Sequence, residues 1–230
     1  STGLQTPGSV AAVRVAADLY ELIVCNNYVH TVTSHWLDGR DGFRMIHNRA
    51  VVRARLDVPD GVAISRDGAW MAISNHNTHT VLVYRRSRLT DPDVQPDAEL
   101  VAVNYPHGLH FTADGAHLVV ADAGMPYLNV YARSGADWEG RIEAQAVLRV
   151  MDDPTFLATR YNIEEGGTKG VDVHPSLPIM ATTSEAQPVQ FFATADVFPS
   201  AVSAAAVTQT DGVGSGSADE SARVALLHLL

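Results

Sequence analysis

Three glycines carry a chemically useful residue immediately before them: Asp60-Gly61, His107-Gly108 and Lys169-Gly170. A carboxylate, an imidazole and an ammonium at matched positions are the ingredients of a polar site. His107 is the residue type that takes a proton from water near neutral pH, and a cation beside it can stabilise a developing oxyanion. The segment leading to Lys169, DDPTFLATRYNIEEGGTKG, adds Arg160, Tyr161, Glu164 and Glu165. Cations among carboxylates suit an anionic or polyhydroxy ligand, with Arg160 offering a planar fork and Lys169 a point charge. His76, in Asn75-His76-Asn77, and Glu185, in Ser184-Glu185, complete the set. The candidate catalytic residues are His107 and Glu165. The candidate ligand-binding residues are Asp60, His76, Arg160, Tyr161, Glu164, Lys169 and Glu185.

Other polar residues read more simply. Asn26, Asn75 and Asp122 recur in one register, and Asx side chains commonly bond the backbone two residues on, so a turn-forming role is expected of them. His30 and His79 also share a register. His76 and His79 form His-x-x-His, but three residues along a strand put two side chains on opposite faces, so no metal pair is expected without a tight turn. His110 and His174 fall on expected innermost strands and read as core or channel-lining histidines. Trp36, Trp70 and Trp138 read as packing between sheets.

The elements that must position these residues come from a repeat. Residues 61–84 and 108–131 align without gaps at an offset of 47, so that Gly61, Asp67, Gly68, Val83 and Tyr84 return as Gly108, Asp114, Gly115, Val130 and Tyr131. A weaker copy lies 49 residues earlier and sets Asp18 on Asp67, Asn26 on Asn75, His30 on His79 and Thr31 on Thr80. A fourth begins at Gly170, 62 residues after Gly108, with the excess forming an insertion. Inside each copy, alternating apolar positions such as Val62 and Ile64, Met71 and Ile73, Val81 and Val83 have the period of two of half-buried strands. Asp67-Gly68 and Asp114-Gly115 are hairpin turns. Further strands are expected at 50–56, 99–103 and 142–150, and helical periodicity only around 153–162.

Four strands per roughly 40–50 residues is the period of a propeller blade. The expected fold is all-β: a small β-propeller of about four to five four-stranded antiparallel blades, with repeats near 12–57, 61–103, 108–150 and 170–193. Residues 195–221, rich in Ala, Ser and Gly, read as a flexible excursion, and 222–229 as a strand that closes the ring. In such a ring the loop entering each innermost strand and the turn between the second and third strands emerge on one face. The candidate residues then share a mouth, beneath a long polar loop of the kind that often carries function.

The phrase YPHGLHFTADGAHLVVADAGMPYLNVY resembles the lactonase-type β-propellers, the group that includes the propeller 6-phosphogluconolactonases. The resemblance rests on Pro106-His107, the Asp114-Gly115 turn, Ala121-Asp122 and Val130-Tyr131. PDGVAISRDGAWMAIS is similar to blades of the gluconolactonase/regucalcin propellers. It implies hydrolysis of a lactone or ester, with His107 as general base. The divalent-metal site of the gluconolactonase type needs an early Glu motif that this chain lacks, so no metal or cofactor is expected.

No nucleophile, metal set or phosphate loop in the sequence demands chemistry. The leading expectation is a binding or sensing module whose mouth takes a small polar or carbohydrate-like ligand or a protein, and lactone hydrolysis is the alternative. The totals bound the partners. A net charge of −10 disfavours nucleic acid. The longest apolar runs are far shorter than the ~18 residues of a membrane span, so a soluble, cytoplasmic protein without membrane contact is expected. A homo-oligomer that completes a ring is a third expectation. The single cysteine, Cys25, sits in an apolar run and reads as a buried thiol.

Overall fold

The computed structural model describes residues 3–40, 42–185 and 187–198. The described residues all belong to one compact unit, Ser1–Phe198. The closing strand expected at 222–229 and the excursion after 198 lie outside them.

Among the described residues four sheets follow one another in sequence. The first holds β1 (Pro7–Ala16), β2 (Leu19–Asn26), β3 (Thr31–Asp38) and β4 (Arg44–Val52), each antiparallel to the one before. The second holds β5 (Pro59–Ile64), β6 (Trp70–Asn75), β7 (Thr80–Arg85) and β8 (Ala98–Leu100). The third begins with β9 (Pro106–Phe111), β10 (His117–Asp122) and β11 (Tyr127–Ala132). The chain then detours: β12 (Gly140–Ile142) adds to the outer edge of the second sheet, parallel to β8, before β13 (Ala146–Arg149) completes the third. The single strand expected over 142–150 is therefore two, serving neighbouring sheets. After helix α1 (Asp153–Thr159), the fourth sheet is β14 (Thr168–Val173), β15 (Ile179–Ser184) and β16 (Gln190–Ala193), followed by the one-turn α2 (Thr194–Val197). Among the described residues it has three strands, and no strand joins it to the first sheet.

The repeated turns have one chemistry. In the second sheet, Asp67 accepts from the Ser65 hydroxyl (2.6 Å) and the Ala69 amide (3.0 Å), and Gly68 takes φ +72°. In the third, Asp114 accepts from Thr112 (2.6 Å) and the Ala116 amide (2.9 Å), and Gly115 takes φ +66°. Ser/Thr-x-Asp-Gly is thus a hairpin closed by its own side chains, with glycine at the left-handed position.

Period-two alternation is satisfied on both faces of the middle sheets. Met71 and Ile73 of β6 pack with Ile23, Cys25 and Val32 of the first sheet, while their neighbours Trp70 and Ala72 pack with Leu118, Val120 and Tyr131 of the third. Val119, Ala121 and Val130 then meet Val173 and Met180 of the fourth. Among the described residues three inter-sheet cores result, a succession of face-packed sheets. Trp70 and Trp138 belong to the core between the second and third sheets, as expected. Trp36 is half-buried and outside all three. Cys25 is fully buried, and burial pushes its thiol far up, so it is an inert packing residue.

The first strands β1, β5, β9 and β14 line up edge to edge at the inner end of the sheets, and their glycines make the approach possible. A Cβ at Gly61 would lie 2.2 Å from the His107 carbonyl oxygen, and one at Gly108 would lie 2.8 Å from the Lys169 carbonyl oxygen and 3.0 Å from the Gly170 Cα. Backbone therefore packs on backbone where any side chain would force the strands apart. Gly61→Ala is predicted to cost about 3 kcal/mol through overpacking. Gly135→Ala, at φ +65° with open space around it, should cost only about 1 kcal/mol of left-handed strain. Urea denaturation of both variants checks this, and equal losses would contradict the close-approach reading.

Candidate functional site

Register fixes which residues reach the end of the innermost strands. Pro7 pairs with Asn26, Pro59 with Asn75, Pro106 with Asp122 and Thr168 with Ser184, and each pairing is followed by a bulge. The first residue inside each bulge is Gly8, Asp60, His107 or Lys169, and bulges commonly re-aim a side chain in this way. The first innermost strand thus starts at Pro7, ahead of the residue 12 suggested by the 49-residue offset, because the first copy has a longer hairpin. One residue beyond the paired Asx or Ser come Asn27, His76, Ala123 and Glu185, a second set of equivalent positions.

The loops entering these strands are strained and braced. Thr6, Val58 and Tyr105, each just before a proline, take φ of 47°, 53° and 51°, unusual for residues with a Cβ. The Val58 amide donates to His30 Nδ1 (2.9 Å) and the Tyr105 amide to His79 Nδ1 (3.2 Å). His30 and His79 close the 3-10 turns Asn27–Val29 and His76–Thr78. Their shared register is a bracing role, in which the turn of one sheet holds the entering loop of the next. His79 Nδ1 is therefore committed to backbone, while the His76 ring turns towards His107. The Asx register braces too: Asn26 accepts from the Gln5 amide (2.9 Å), Asn75 from the Asp57 amide (2.6 Å) and Asp122 from the Asn104 amide (2.8 Å).

Seven of the nine candidates form one continuous group. His107 Nδ1 lies 2.6 Å from Asp60 Oδ2, and Asp60 Oδ1 accepts from Asn27 Nδ2 at 3.0 Å. Asn27 occupies space that Gly8 leaves open, since a Cβ there would fall 2.1 Å from its Oδ1. His76 stands edge-on to His107, with centroids 4.9 Å apart, and 5.0 Å from the Tyr105 ring. Its Nε2 is 3.8 Å from Glu164, while its Nδ1 is buried without a hydrogen-bond partner among the described residues. Lys169 Nζ pairs with Glu165 and lies 3.9 Å from Glu185.

The long loop is held over the group by tight contacts. The Gly167 amide donates to the Ala123 carbonyl (2.8 Å), and a Cβ at Gly167 would meet the Asp122 carbonyl oxygen at 2.2 Å. The small Ala123, where the other sheets carry Asn27, His76 and Glu185, lets the loop cross the third sheet and deliver Glu164 and Glu165. Arg160 and Tyr161 are not brought into the group. Arg160 lays its guanidinium over the Phe156 ring (5.1 Å), and Tyr161 is 82% exposed. Of the other histidines, His110 faces Asp172 (3.1 Å) and His174 accepts from the Ser176 and Leu177 amides in its own turn.

The charge states follow from these contacts. Burial would raise the Asp60 carboxyl, but His107 and Asn27 hold it below its usual range, so it is ionised at neutral pH. An ionised carboxylate only accepts; the proton between the pair therefore sits on His107 Nδ1, which leaves Nε2 free for proton transfer. Burial, aided by the neighbouring His107, lowers His76 and keeps it neutral. Glu165, despite its burial, is held low by Lys169.

No protein-family model matches the chain, and no curated protein matches it in sequence. Solved structures do match in fold. Kuenenia stuttgartiensis hydrazine synthase aligns with a TM-score of 0.58 at 19% identity, covering 85% of this chain and 48% of that one. The Pseudomonas aeruginosa periplasmic gluconolactonase PpgL gives 0.54 at 16%, covering 78% and 51%. The Myceliophteria thermophila Swd1 β-propeller domain gives 0.51 at 11%, covering 80% and 52%. The chain thus spans about half the length of these structures. The likeness establishes a propeller-type fold and, across such different named proteins, nothing about activity. No helix among the described residues is long and apolar enough to cross a membrane.

Asp122 offers a test of the braced register. Burial raises its carboxyl from 3.8 to about 7 against the donors that lower it. The folded state then keeps a proton that the unfolded chain loses above pH 3.8, so this group's contribution to stability is full at low pH and falls as pH rises towards 7. Asp122→Asn, the residue already used at positions 26 and 75, should therefore gain on the parent protein between pH 4 and 7 in urea melts. A stability difference that does not vary with pH would contradict this.

Proposed function

We propose that the group at the ends of β5, β9 and β14 is a binding site for a small polyhydroxy, sugar-like ligand. The observation that carries this is convergence. Asp60, His107 and Lys169 come from equivalent positions on three sheets, and His76 and Glu185 from a second set. The inserted loop adds Glu164 and Glu165. Vicinal hydroxyls both donate and accept, which matches fixed carboxylate acceptors beside imidazole and ammonium donors. Lys169 already shares its charge with two carboxylates, so it suits a neutral polyol better than a strongly anionic ligand.

Hydrolysis of a lactone is the second reading, and the Asp60–His107 pair favours it. An imidazole oriented by a carboxylate, with Nε2 free, is the arrangement of a general base that activates water. The gluconolactonase among the structural neighbours is consistent with such a substrate, at an identity that carries fold alone.

A panel of monosaccharides, aldonates and sugar lactones separates the two. A ligand at ten times its Kd should raise the melting temperature by roughly 3–5 °C, and the shift should vanish in Lys169→Met and Asp60→Asn variants that stay folded. Absence of any shift across the panel would sink the binding proposal. Lactone turnover that disappears in His107→Ala would replace it with the hydrolase.

A further inference from the structure

We infer that Asp60, His76 and His107 form a site for a divalent first-row transition ion, with Zn2+ its simplest occupant. Each offers one donor atom, and the three donors lie within 4.8 Å of one another. One carboxylate and two imidazoles form a ligand set that suits zinc and its neighbours, whereas calcium and magnesium select all-oxygen shells. Spacing along the chain hides this set. His76 comes from the turn after β6, and Asp60 and His107 come from equivalent bulges 47 residues apart.

Three features support a cation over an accidental cluster. His76 is buried, with 8% exposure, and its Nδ1 has no hydrogen-bond partner among the described residues, although a neutral imidazole nitrogen is a strong ligand. Asp60 is already oriented from behind by Asn27, the kind of outer hydrogen bond that metal-binding carboxylates keep. The side chains of Asp60 and His107 retain 18% and 25% exposure, so an ion can enter and keep coordination positions open to solvent or ligand.

Binding requires modest rearrangement. Ligand atoms around a tetrahedral ion with bonds of 2.0–2.1 Å stand roughly 3.3 Å apart. The Asp60–His107 separation of 2.6 Å must open slightly, and His76 must close in. The ion takes the place of the proton between Asp60 Oδ2 and His107 Nδ1. That proton leaves through solvent, and in the bound form Nε2 carries the ring proton while Nδ1 offers its lone pair to the ion. Glu164, 3.8 Å from His76 Nε2, borders the open side.

This inference rests on the same residues as the proposed ligand site, but it can fail separately. The full chain, stripped with chelator, is titrated with Zn2+ by calorimetry and with Co2+ by visible absorption, without sugar. The expected result is one ion per chain, a Co2+ ligand-field band, and at least tenfold weaker binding in each of Asp60→Asn, His76→Gln and His107→Gln. His47→Ala, an exposed histidine on β4, should bind as the parent does. No saturable binding to the parent protein up to about 100 μM Zn2+, or binding unchanged in the three variants, would overturn the inference. Should a variant unfold, the 15N signals of His76 and His107 in the parent still decide, since a site demands that both shift on Zn2+ addition. Sugar-induced stabilisation that persists in chelator with no metal binding leaves the ligand proposal standing and removes this one; metal binding without any sugar effect does the reverse.

Discussion

Backbone-on-backbone contact between innermost strands is the constraint on which the rest of this structure depends. Gly61 against the His107 carbonyl, and Gly108 against Lys169 and Gly170, bring β5, β9 and β14 closer than side chains permit. The residue before each glycine is thereby placed beside its counterpart in the next sheet. Burial on both faces of the middle sheets follows from the same succession, because sheets set this close must bury alternate residues against opposite neighbours.

The polar group at the strand ends is a consequence of that packing combined with strain held from outside. Left-handed Val58 and Tyr105 direct the chain into the bulges, and histidines of the preceding sheet fix their amides. Two histidine registers thus do different work. His30 and His79 brace backbone, while His76, three residues before His79, is left unbonded at Nδ1 among the described residues, beside the Asp60–His107 pair. The first sheet shows how a missing side chain can contribute: Gly8 leaves the space through which Asn27 reaches Asp60.

Much of this was legible in the sequence, and the rest was hidden for physical reasons. The Asp-Gly turns correspond to a local hydrogen-bond pattern and read correctly without coordinates, whereas of the Asx register only Asp122 bonds the backbone two residues on, and all three side chains accept from amides of distant entering loops. Asp60, His107 and Lys169 stood out because each precedes a conspicuous glycine. Arg160 and Tyr161 looked equally suitable by type, but the direction of a side chain in a long loop depends on packing, here the Phe156 ring, that no spacing encodes. The start of the first innermost strand was misplaced because a longer hairpin preserves the Asn26 register while shifting Pro7. β12 escaped because a three-residue strand that pairs with a neighbouring sheet has no periodicity of its own. Asp60, His76 and His107 were each candidates for the same mouth, but that their donor atoms converge within 4.8 Å depends on side-chain directions that no spacing encodes.

The most direct test of the account is a double-mutant cycle on the stability of chelator-treated protein, using Asp60→Asn, His107→Gln and the pair. Residues 47 apart in sequence and 2.6 Å apart in space should be coupled by more than about 0.5 kcal/mol. Losses that simply add, within about 0.3 kcal/mol, would mean that the innermost strands do not bring these side chains together, and the site built on them would not exist.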